Sequence, residues 1–82
     1  MFAEISGEVF PLDNVIAEEE LRLVFSDTPV EDVDRVALRL PESLCVKQEG
    51  GAELWFYGFT RAVRIEKNLS NEQVLLVVRK EE

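Results

Sequence analysis

Leu54-Trp55-Phe56-Tyr57-Gly58-Phe59 is the densest apolar stretch of the chain and holds four of its seven aromatic residues. A large aromatic side chain buries about 150–250 Å² when enclosed, so this run outweighs any other segment as potential core. Laid out as a strand, it points Leu54 and Phe56 one way and Trp55, Tyr57 and Phe59 the other. Both faces then require cover, either from two layers of one domain or from one layer and a second subunit.

The flanking segments give this strand its neighbours. Leu44–Gln48 alternates apolar and polar residues, and Glu49-Gly50-Gly51-Ala52 supplies the paired glycines of a hairpin connection. Leu44–Gln48 is therefore predicted antiparallel to an aromatic strand at Glu53–Thr60, in which Gly58 marks a bulge or kink. Downstream, Ala62–Lys67 sets Val63 and Ile65 against Arg64 and Glu66, 68–71 has turn chemistry, and Gln73–Arg79 closes a second hairpin. Asn68-Leu69-Ser70 also fits a glycosylation sequon, but with no export signal it is read as a turn.

Upstream, Phe2–Phe10 reads as one strand with a bulge at Gly7, ended by Pro11, which has no N–H to give a ladder. Leu12–Glu20 reads as a loop with one helical turn capped by Asp13, and Leu21–Phe25 as a strand. Residues 27–40 admit two readings. Thr28-x-x-Glu31 with Pro29 at the first helical position has the form of a capping box. A helix continuing to Arg39 would group Val30, Val33, Val36, Ala37 and Leu40 but leave Leu38 among charges. A strand at Arg35–Leu40 has no such violation, so one helical turn at Pro29–Val33 running into that strand is the prediction. The fold expected is mainly β: a single domain over 1–82, a small antiparallel sandwich or barrel of six or seven short strands with one short helical turn. The alternative is α+β with a helix at 29–39.

Composition narrows the function classes. The net charge of −8 is uneven, with ten acids and one base in residues 1–34 and eight bases against five acids in 35–80. An acidic surface repels nucleic acid and membrane phosphates and attracts basic partners. With no histidine, Ser-His-acid and Cys-His nucleophiles and histidine metal sites are excluded. Cys45, the single cysteine, can form no internal disulfide and lies between Leu44 and Val46, where a buried inert thiol is expected. Asp27, Glu31, Asp32 and Asp34 lack EF-hand spacing and are read as turn, cap and first-turn residues. No stretch approaches the roughly 20 apolar residues of a membrane span. Arg61, Arg64 and Lys67 follow the aromatics as they would in a single-strand binding sheet, but Glu53 and Glu66 interrupt that patch.

The expectation is a cytoplasmic, non-enzymatic protein-binding module with no cofactor and no metal, self-associating as a homodimer through the aromatic strand. Trp55, Tyr57 and Phe59 are the candidate contact residues. The alternative is an acidic inhibitor, a phage-type antagonist, that presents carboxylates in place of nucleic-acid phosphates to a basic protein partner. Its candidate residues are Glu18, Glu19, Glu20, Glu31, Asp32 and Asp34.

Overall fold

The computed structural model describes residues 1–68 and 70–81, so the turn expected at 68–71 lies partly outside them, at Leu69. Among the described residues seven strands run β1 (Phe2–Ile5), β2 (Glu8–Ala17), β3 (Leu21–Phe25), β4 (Ser43–Lys47), β5 (Glu53–Tyr57), β6 (Arg61–Lys67) and β7 (Val74–Arg79), with one α-helix, α1 (Val30–Ala37), between β3 and β4 and a 3-10 turn at Glu49–Gly51 between β4 and β5. All pairings are antiparallel and form one sheet in the order β5-β4-β1-β2-β3-β7-β6. A mainly β, antiparallel architecture is thus what the molecule has.

Strand β2 joins the two halves of the sheet. Its start pairs with β1 (Phe2 opposite Pro11), and its remainder pairs with β3 after a register shift between Leu12 and Asn14. A bulge of this kind bends a strand and increases its twist. Pro11 therefore sits inside β2 rather than ending it. Leu12 N–H donates to the Met1 carbonyl, so the N–H that proline lacks would have pointed away from β1. At the corner, Phe10 and Phe25 meet edge to face with ring centroids 5.8 Å apart, linking the halves.

One face of the whole sheet forms the core. Ala3, Ile5, Phe10, Leu12, Leu21, Leu23, Phe25, Leu44, Val46, Val74, Leu76 and Val78 point inward and are closed over by Val33 and Val36 of α1. Among the described residues no buried side-chain nitrogen or oxygen lacks a hydrogen-bond partner. None of their helices is long and apolar enough to cross a membrane.

Four local expectations are corrected. Phe2–Phe10 is two strands, because Ser6 and Gly7 both take positive φ (51° and 82°) and close a hairpin. Leu12–Glu20 is mostly strand, with Val15 drawn against the core by its pairing with Leu23. Arg35–Leu40 is not a strand: helix α1 continues to Ala37, followed by a turn. Val33 and Val36 are buried at helical spacing, and Leu38 is left 85% exposed. A single solvent-facing leucine costs little, so one violation of the helical pattern carried too much weight. Lastly, Pro29 is itself the N-cap and no side chain caps the helix; the Thr28 hydroxyl instead donates to the Ser26 carbonyl at 2.7 Å.

Candidate interaction surface

Strand β5 is an edge strand, not a central one. Its register with β4 places Leu44 opposite Phe56, Cys45 opposite Trp55 and Val46 opposite Leu54. Leu54 and Phe56 therefore lie on the core side, while Trp55 and Tyr57 stand on the outer face. Their rings stack at 6.4 Å between centroids and 17° between planes, and they remain 50% and 62% exposed. The same outer face carries Phe2 and Val9, both exposed, from β1 and β2.

Phe59 does not join this face. Strand β5 stops at Tyr57, Gly58 turns the chain at φ 81°, and Phe59 is 7% exposed, packed edge to face on Phe56 with its ring under Lys80. The alternation that grouped Phe59 with Trp55 and Tyr57 holds only while the strand continues, and a left-handed glycine ends it.

The charges beside the aromatic pair are matched to one another. Lys47 Nζ lies 3.0 Å from Glu4 and 4.0 Å from Glu53, which bridges β1, β4 and β5 and raises the lysine pKa, chiefly through its hydrogen bond with Glu4. Cys45 is buried beneath this layer, directly across from Trp55. Burial, then the negative charge of Glu53, pushes its thiol pKa up. A thiol kept protonated is a poor nucleophile, in keeping with an inert role.

The outer face of the other half differs in kind. Arg22, Arg64 and Arg79 stand there around the buried Val77. Arg79 Nε donates to Glu20 Oε2 at 2.7 Å, Arg22 lies 3.6 Å from Glu20, and Arg64 pairs with Glu66 at 3.0 Å. Glu20 is consequently held below the ordinary carboxylate range, mainly by its bond from Arg79. Trp55 and Tyr57 sit on the opposite edge strand from Arg61, Arg64 and Lys67, so the two parts of a nucleic-acid patch occupy different strands at the two ends of the sheet order.

The acidic candidates fall into two groups. Glu18, Glu19 and Glu20 form the β2–β3 hairpin tip, with Glu20 turned onto the arginines of the outer face. Glu31, Asp32 and Asp34 belong to α1, which packs on the inner side of the sheet. Asp32 is 3.7 Å from Arg35, which also holds Glu8 through both of its carboxylate oxygens. The sheet separates the two groups. Among the described residues no cluster of three or more His, Cys, Asp or Glu side chains is arranged to hold a metal ion.

Compared with protein-family models, curated proteins and solved structures, the chain matches none.

Proposed function

We propose that this chain is a small, acidic, non-enzymatic protein-binding module that self-associates through its aromatic strand β5. The observation that carries this reading is the stacked Trp55–Tyr57 pair, half or more exposed on a sheet whose core is complete on its other face. Folding does not require these rings to stand in water, and a monomer rarely keeps such a patch unless it binds something. A patch repeated on every copy suits a two-fold contact. The lone buried thiol fits a reducing compartment, the cytoplasm.

The phosphate-mimic reading draws less from the geometry. Its two acidic groups lie on opposite sides of the sheet, and Glu20 and Asp32 already face arginines. Light scattering over a dilution series tests the preferred reading. The wild type is expected to pass from dimer to monomer on dilution, and Trp55→Glu to stay monomeric with an unchanged circular dichroism spectrum. A wild type that is monomeric throughout the micromolar range refutes self-association.

A further inference from the structure

We infer that two copies join by main-chain pairing of β5 with β5 in a single antiparallel register centred on Trp55, which makes one continuous sheet. This rests on the self-association proposed above and specifies how it occurs. The register follows from the hydrogen bonds at the ends of the β4–β5 ladder. Gln48 N–H donates to the Ala52 carbonyl and Gly58 N–H to the Glu42 carbonyl, both at 2.8 Å. In an antiparallel ladder bonded and non-bonded pairs alternate, so Leu54 and Phe56 direct their N–H and C=O groups toward β4. Glu53, Trp55 and Tyr57 direct theirs out of the open edge.

A second β5 centred on Trp55 satisfies all of these edge groups. Trp55 then faces Trp55 of the other copy, and Glu53 faces Tyr57 in both directions. Leu54, partly exposed on the core side, comes opposite Phe56 of the other copy in a close, non-bonded pair. A partner strand for this edge must be apolar on both faces, and its one acid must fall opposite a neutral residue. Strand β5 meets both conditions for itself. Sliding the register one way carries Tyr57 past Glu53 onto the Glu49–Gly51 turn and, a step further, sets Glu53 against Glu53; sliding it the other way runs the partner past Gly58, where the chain leaves the sheet. The other edge offers no such seat. Strand β6 carries a register shift between Ala62 and Arg64, has Arg61, Arg64, Glu66 and Lys67 along it, and packs against α1.

The test is backbone amide exchange on the full chain at concentrations below and above the association midpoint given by light scattering. The Glu53, Trp55 and Tyr57 amides are expected to slow by about tenfold or more as dimer replaces monomer, following the same isotherm. Tyr57→Pro, which removes only an outward N–H from the ladder, is expected to abolish the dimer, and Tyr57→Ser to weaken it less. If Tyr57→Pro does not fold, the exchange result decides alone. A dimer whose three amides stay fast overturns edge pairing and leaves self-association standing. A protein monomeric at every concentration overturns both.

Discussion

The two edges of one sheet are built on opposite terms. Strand β6 is bulged, charged along its length and packed beside α1, all of which keep other strands away. Strand β5 is unbulged, and after Glu53 it carries no charge as far as Tyr57. The outer faces differ in the same sense: stacked aromatics on the β5 side, and arginines matched to Glu20 and Glu66 on the β6 side. An edge left open within a domain that protects its other edge points to a place of contact. Exposed hydrophobicity alone is weaker evidence, since Leu38 and Val63 are also exposed, lining one cavity between α1 and β6 without stacked rings.

The comparison depends first on both halves sharing one core, and Phe25 is where they meet. It is fully buried and touches Phe10 across the β2 corner. Phe25→Ala is expected to cost about 3–5 kcal/mol in chemical denaturation, a large part of the stability of a domain this small. A loss below about 1 kcal/mol would mean that the halves are stabilised separately.

Next in size is Gly58, which ends β5 and sends Phe59 inward. A Cβ there meets nothing closer than 3.9 Å, so the cost of Gly58→Ala is conformational. Holding an alanine at φ 81° costs about 1–2 kcal/mol. If thermal denaturation shows no loss, Phe59 can reach its place without a left-handed residue, and β5 is free to run longer than it does.

How much of this was legible in the sequence follows from the range of the interactions involved. The β4–β5 and β6–β7 hairpins were, because paired glycines and period-two alternation are local signals. The hairpin at Ser6–Gly7 was missed because Ser6 gives no strong sign that it adopts positive φ. The β2 strand was missed because its second half is held by β3, a tertiary pairing with weak local signal behind it. At the candidate site, alternation put Trp55 and Tyr57 on one face of the strand, but which face is outermost depends on the pairing with β4 and could not be read from it. The edge position of β5 could not either, since strand order depends on contacts far apart in sequence. Phe59 shows the limit of alternation: one glycine moved it from the surface to the core.

Leu54→Lys gives β5 the kind of charge that β6 already has. Leu54 is partly exposed at the edge, so the folded monomer is expected to lose no more than about 1 kcal/mol. Self-association, by contrast, is expected to disappear in light scattering, since the ammonium would be set against Phe56 of the other copy. A variant that still forms dimers would place the contact away from the β5 edge.

The smallest effect belongs to the arginine face and separates it from the aromatic one by its response to pH. Arg79, and to a lesser degree Arg22, holds the Glu20 carboxyl below its ordinary range. A carboxyl whose pKa is depressed by folding adds stability above its unfolded pKa and loses that contribution as pH falls through the folded value. Glu20→Gln is therefore expected to be slightly less stable than the wild type near neutral pH. The difference should close as the solution is acidified through the carboxylate range. The pair lies at the surface, so added salt should narrow the gap at neutral pH as well. Paired urea denaturation curves at neutral and acidic pH measure it. A gap of the same size at both would assign Glu20 a packing role in place of an ionic one. The β6 side would then rest on contacts like those of the β5 side, and the electrostatic half of the contrast would fail.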